Sequence, residues 1–228
     1  MPLKKKQFDW LPNIPLLRAA SQSCLGILLI NWVAQGTRGM DRGELVFRAL
    51  LEVLLALVFA VVLRLTSDGP PVLDGLAGLV LAHTVNWTLN GHVWVCFRYC
   101  PGYRADPDLL NAKGRAVIAK VEAARRVQEA LVIGSFADHG LRLRERSDMD
   151  LRLIRPPGLA GWFHANLLLL HLRAWAFLRG FPLDLYAYGD LRFLQRFRTN
   201  ETWLIIKDAE GRLADMRART IAYGSSSS

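Results

Sequence analysis

The polar and apolar positions divide the chain into blocks of different period. From Leu45 to Leu63 apolar residues run almost unbroken, interrupted only by Arg48 and Glu52 near the start. Gly75 to Phe97 then gives 23 residues without a formal charge. A membrane-crossing helix needs about 20 mainly apolar residues, so each stretch predicts one span. Thr66-Ser67-Asp68-Gly69-Pro70-Pro71 has turn composition and joins the two as a helical hairpin. Arg48 and Glu52, at i and i+4, are spaced to pair or to snorkel toward headgroups. A hairpin buried in a soluble protein would show the same apolar run, and these two charges keep that alternative open. On the second helix His83, Asn86 and Asn90 share one face, beside a row of small residues, Gly75, Gly78 and Ala82. Polar groups at membrane depth need partners, so this face is expected to meet another helix and not lipid.

From about Asp108 the period changes to that of an α/β domain. Leu109 to Ala130 predicts a helix with Leu110, Val117, Val121 and Val127 inward. Ala130 to Ile133 predicts a short strand ending in Gly134-Ser135. Ser147 to Ile154 alternates with period two and predicts a second strand. Trp162 to Arg179 reads as a long helix closed by Gly180, and Pro182 to Tyr188 as a third strand. Trp203 to Ile206 fits a short strand or a helix, before a Glu210-Gly211 turn.

Charge sharpens this division. The 228 residues are 52% hydrophobic yet carry a formal net charge of +9. Such apolar content excludes disorder, and three cysteines in a chain this long exclude a disulfide-built miniprotein. Residues 1–42 hold 6 basic and 2 acidic side chains, residues 43–97 hold 2 and 4, and residues 98–228 hold 21 and 14. From Leu65 to Phe97 there is no Lys or Arg. The positive-inside rule therefore predicts a hairpin in the inner cell membrane with both termini cytoplasmic. Trp10, Trp32, Trp87 and Trp94 read as interfacial anchors. Lys4-Lys5-Lys6 and the apolar segment after Cys24 predict an interfacial helix within residues 1–43, with a third span as the alternative. The expected organisation is then a basic segment (1–43), a transmembrane hairpin (44–97), a cytoplasmic domain (98–223) and a linker or tag remnant (224–228). Cys96 and Cys100 read as reduced thiols and Cys24 as a packed one.

The candidate chemistry lies in the third block. Asp148 and Asp150, two apart on a strand, point to one face. Such a pair suits a hard divalent ion, since Mg²⁺ takes one or two carboxylates plus substrate phosphates. Asp184 on the next strand can complete a three-carboxylate cluster. Gly134-Ser135, at a strand end, can bring backbone N–H groups and a hydroxyl to a phosphate. Solvated strand-end acids are the bland reading of the same residues.

Gly134-Ser135, twelve intervening residues and Asp148-Met149-Asp150-Leu151 resemble the signature of the nucleotidyltransferase superfamily typified by DNA polymerase β, most closely its minimal members. The resemblance covers roughly residues 110–215 and leaves the hairpin outside. It implies an α/β (α+β) nucleotidyltransferase-like domain with a small mixed sheet flanked by helices. It also implies that Asp148, Asp150 and Asp184 hold Mg²⁺, or Mn²⁺, while Gly134, Ser135 and Ser147 hold the phosphates of an NTP. Pyrophosphate would leave in a metal-assisted in-line displacement. The intervening loop departs from the pattern by about two extra residues. Within it, Arg142, Arg144 and Arg146 are candidates for phosphate contacts and His139 for proton transfer.

The expected function is transfer of a nucleoside monophosphate to a hydroxyl of a membrane-associated acceptor: a lipid-linked sugar, a glycan precursor or a protein. Nucleic acid is a less expected partner, because the membrane rule and the triphosphate account for much of the basic charge. A homo-oligomer could form through the hairpin. The alternatives are a nucleotide-binding assembly or regulatory subunit without turnover, and a protein-modifying (AMPylating) enzyme of toxin–antitoxin type.

Overall fold

The computed structural model describes residues 15–90, 92–138, 142–197, 201–216 and 220–223. Lys4-Lys5-Lys6, Trp10, His139 and the closing Gly-Ser segment lie outside the described residues. Helix α1 (Pro15–Gln22) leads into α2 (Cys24–Ala34), whose first turn is capped by Ser23 accepting from Gly26 N. A single 3-10 turn at Thr37–Gly39 then brings the chain to α3 (Arg42–Thr66). Asp41 caps α3 by accepting from Glu44 N at 2.7 Å.

Helices α3 and α4 (Pro71–Asn90) form the expected hairpin, and both are long and apolar enough to cross a membrane. Their seam needs small residues. A Cβ on Gly78 would meet Ala60 N at 2.8 Å and Ala56 O at 3.1 Å, whereas Gly75 faces open space. The outer surface is apolar: Leu50, Leu54, Leu57, Val61, Leu73 and Leu76 are each more than half exposed. A patch of that extent is unfavourable in water, so these helices are not the buried core of a soluble domain.

The second span differs from expectation at its end. Helix α4 stops at Asn90, and a separate short helix α5 (Val93–Phe97) follows. Val93, Val95 and Cys96 are buried, and α5 packs on α2 and β3 (Leu183–Tyr188). Trp94, expected as a lipid anchor, donates its indole N–H to Phe177 O at 2.8 Å. Apolar composition does not distinguish a residue that faces lipid from one that faces protein, which is why the run looked continuous.

The polar face of α4 meets neighbouring elements. His83 Nδ1 lies 2.7 Å from Glu52 Oε1, and Asn86 Nδ2 donates to Glu52 Oε2 at 3.0 Å. Arg48 donates to the backbone and side-chain oxygens of Gln35, each at 2.8 Å. Arg48 and Glu52 therefore spend their charges on neighbouring elements.

The remainder is mixed α/β. Helix α6 (Pro107–Ala123) ends seven residues before the expected Ala130, and Val127 is buried from the turn that follows. Strand β1 (Glu129–Ile133), short helix α7 (Ser135–Asp138), β2 (Met149–Ile154), α8 (Gly158–Leu178), β3, β4 (Trp203–Asp208), α9 (Arg212–Met216) and β5 (Thr220–Ala222) complete the chain. The sheet order is β3-β2-β1-β4-β5, with β2 parallel to β3, β4 parallel to β5, and β1 antiparallel to both its neighbours. One side of the sheet packs Val132, Leu151, Leu153, Leu185 and Leu204 with apolar residues of α6 and α8. The other side packs Leu131, Ile133, Tyr186, Tyr188 and Trp203, and it carries the acidic residues.

Arg173 of α8 joins the two parts. One guanidinium nitrogen donates to Asn90 Oδ1 of α4 at 2.8 Å, and the other to Glu44 Oε1 of α3 at 2.7 Å and to Leu185 O of β3. Both charges are buried, at 2% and 1% side-chain exposure. Asp41 reinforces the joint by accepting from Gly189 N at 2.9 Å, and Trp162 donates to Gly43 O at 2.8 Å. Removing one member of a buried pair strands the other charge. Glu44→Gln and Arg173→Met should each cost about 3–5 kcal/mol, and the double variant much less than their sum. Chemical unfolding in detergent measures this, and single-variant losses below about 1 kcal/mol would contradict the assigned role.

Candidate carboxylate site

The three acids come together because β2 and β3 are parallel and in register. Asp150 stands opposite Asp184, and Asp148 precedes Asp150 by two positions on the same face. Gly134 lies at the end of β1, where Ile133 pairs with Asp150. Its φ of +77° is a left-handed conformation, and a Cβ there would sit 3.3 Å from Asp150 Oδ2. Glycine is thus required both by the turn and by the nearness of the carboxylate. Ser135 opens α7 beside it, and its side chain lies outside the described residues. Ser147 closes the turn before β2, its hydroxyl accepting from Arg144 N at 3.2 Å.

Two arginines and a histidine, none anticipated from the sequence, complete the cluster. Arg98 Nη1 is 2.6 Å from Asp148 Oδ1. Arg152, two residues beyond Asp150 and hence on the same face, lies between the other two acids. Its Nη2 is 2.8 Å from Asp184 Oδ2 and 3.3 Å from Asp150 Oδ1, and its Nη1 donates to Asp184 O at 2.7 Å. His92 Nε2 is 3.5 Å from Asp184 Oδ1. Period-two alternation carries the signal for Arg152. For Arg98 the only hint is that it is the first cation after the charge-free run.

The electrostatics differ along the cluster. Burial, then the charges of Asp148 and Asp184, push the Asp150 carboxyl well above the usual carboxylate range. Burial also acts against the charged form of Asp184, but the Arg152 guanidinium outweighs it and holds this group below that range. Burial raises Asp148, against the opposing pull of Arg98. Burial lowers His92 to about 3, so it is neutral at physiological pH and supplies no third cation. Three carboxyl groups thus share two guanidiniums, with Asp150 favoured in its protonated form, in a site whose acids keep 10%, 26% and 18% side-chain exposure at Asp148, Asp150 and Asp184.

Among the described residues, no three His, Cys, Asp or Glu side chains stand converged as a ready ion cage. The all-oxygen donor set nevertheless fits a hard divalent ion in kind. Arg98 would have to release Asp148 before that carboxylate could serve. Of the loop arginines, Arg146 donates to the backbone oxygens of Arg98, Cys100 and Pro101 and so braces the segment that presents Arg98. Arg142 and Arg144 are exposed.

Cys24 and Cys100 are joined as a disulfide, contrary to the expectation of reduced thiols. They are 76 residues apart in sequence, and the packing of α2 against α5 brings them together. Cys96 is buried and its sulfur accepts from Asn31 Nδ2 at 2.7 Å.

Comparison with family models, with curated proteins and with solved structures finds no match for this chain. Any functional reading rests on the geometry and on the residues themselves.

Gly134→Ala should lower stability by about 1–2 kcal/mol through its left-handed backbone alone. Thermal unfolding checks this, and an unchanged transition would mean that the strand end is not held in this turn.

Proposed function

We propose that the chain is a membrane-held nucleotidyltransferase that uses an NTP and a divalent cation. The observation that carries the reading is the side-by-side placement of Asp150 and Asp184, with Asp148 on the same face and Gly134 against Asp150. That placement supports the sequence resemblance to minimal nucleotidyltransferases and a nucleotidyltransferase-like fold for the α/β part. Asp148, Asp150 and Asp184 would hold Mg²⁺ or Mn²⁺, which when bound offsets the charge developing on transferring phosphoryl oxygens. The chain's own residues do the rest. Gly134 leaves room for a phosphate to approach the strand end, and Arg152 keeps Asp184 ionised. His92 and Tyr186, buried behind the acids, limit water on that side.

The apolar outer surface of α3 and α4 supports a hairpin that crosses the membrane, and tethering raises the local concentration of a membrane-associated acceptor. The arginine-rich flanks and the need for NTP favour the α/β part in the cytoplasm. A reducing compartment would keep Cys24 and Cys100 as thiols, so their pairing in the structure counts against that orientation. Alkylating free thiols in cells before their membranes are isolated tests the orientation: a cytoplasmic α/β part expects label on both cysteines, although the structure joins them. A fully oxidised pair in those membranes would contradict the cytoplasmic orientation.

A second reading, nucleotide binding without turnover, is favoured by the ion pairs of Arg98 and Arg152 with the acids. Labelled NTPs incubated with the full chain, Mg²⁺ and native membrane extract separate the two. The transferase reading expects Mg²⁺-dependent pyrophosphate release that falls at least about a hundredfold in Asp148→Asn and Asp150→Asn, several kcal/mol of lost charge stabilisation. Turnover unchanged in those variants would sink it, and binding without release across all four bases would favour the second reading.

A further inference from the structure

Between α5, the start of α6 and the end of α8 lies a cleft of about 640 Å³ that the carboxylate chemistry does not use. Its floor and walls include Trp94 and Phe97 of α5 and Leu109 of α6, so it is mainly apolar. Arg104, Lys113 and Arg179 line it as well, and Asp106 is the one acid among its lining residues. Asp106 is already engaged as the cap of α6, accepting from Asp108 N at 2.9 Å. Lys113 Nζ donates to Arg179 O at 2.5 Å, and an ammonium group carries two further protons for other acceptors. The Arg179 guanidinium lies 4.5 Å from the centre of the Trp175 ring, which supports it at the rim.

The location adds to the chemistry. Helix α5, which lines the cleft, follows the end of α4 after two residues, so the cleft is close in the chain to the end of the hairpin. Leu25, next in the chain to the lining residue Cys24, is 77% exposed, and Leu178, next to Arg179, is 74% exposed. Apolar surface therefore continues past the walls of the cleft. A free phosphate would satisfy the cations but leave the aromatic and aliphatic lining unused. A neutral lipid would fill the lining but leave three cations facing a single acid, Asp106.

We infer that this cleft binds the headgroup and upper acyl chains of a phosphate-bearing anionic lipid. The site rests on the membrane reading of α3 and α4 and is independent of the transfer chemistry. It would hold the chain at a fixed height and angle on the membrane surface. Basic side chains near an anionic surface each add to binding, so the affinity depends mainly on Lys113 and Arg179 with their neighbour Arg104.

The test uses the full chain in neutral detergent, titrated with dihexanoyl phosphatidylglycerol below its micelle concentration while tryptophan emission is followed. Dihexanoyl phosphatidylcholine and inorganic phosphate are the comparison arms. Saturable binding of the glycerol lipid is expected, with both comparison ligands at least about tenfold weaker. Lys113→Gln with Arg179→Gln should weaken binding by about tenfold or more. Arg125→Gln with Arg126→Gln, the same charge change at exposed positions away from the cleft, should not. Trp94→Phe should remove most of the emission change. Equal binding of phosphatidylcholine, binding of free phosphate as tight as that of the lipid, or no loss in the Lys113/Arg179 variant would each overturn the inference. Flotation of every variant with vesicles is read in parallel. Loss of flotation in the unsubstituted chain would remove the membrane reading itself, whereas flotation without lipid selectivity would remove only this site.

Discussion

The buried ion pair between Glu44 and Arg173 is the constraint on which the arrangement of the molecule depends. A lone guanidinium inside protein is costly, and Arg173 is tolerated because three elements supply acceptors: a carboxylate from α3, an amide from α4 and a backbone carbonyl from β3. Satisfying one side chain thereby fixes the base of the apolar hairpin against the sheet. The same joint sets the path of the chain between α2 and α3 across Tyr186. A Cβ on Gly39 would overlap the Tyr186 ring, and the Tyr186 hydroxyl donates to Gly36 O at 3.3 Å. The edge strand that carries Asp184 is thus covered by residues that belong, in sequence, to the membrane-proximal third.

This packing explains the chemistry of the acidic face. Because α5 and the residues after it fold back onto the sheet, Arg98 reaches Asp148 and His92 reaches Asp184. Arg152, on the strand itself, separates the remaining pair of acids. A carboxylate cluster of this kind repels itself unless cations are present, and here arginines provide them. The acids keep partial exposure, so a metal ion could compete with the arginines for the same oxygens.

Much of the fold was legible because its signals are local. The hairpin showed as charge-free runs, β2 and β3 as period-two alternation, and the inward row of Leu110, Val117 and Val121 as helical spacing. The carboxylates were found for the same reason, since Asp148 and Asp150 share a face by simple alternation. What was missed is long-range. Trp94 looked like a lipid anchor because its partner, Phe177 O, lies 83 residues away. Arg98 and Arg173 looked like ordinary basic residues because their partners are set by tertiary packing. Cys24 and Cys100, 76 residues apart, gave no spacing signal at all.

The central claim is that the acids on β2 and β3 form a divalent-cation site that an NTP completes. Electron paramagnetic resonance of Mn²⁺ with the full chain in nanodiscs tests it most directly. The account predicts stoichiometric loss of the free Mn²⁺ signal, strengthened by a non-hydrolysable NTP and abolished in Asp150→Asn. A free Mn²⁺ signal that the chain leaves unchanged, with and without nucleotide, would contradict it.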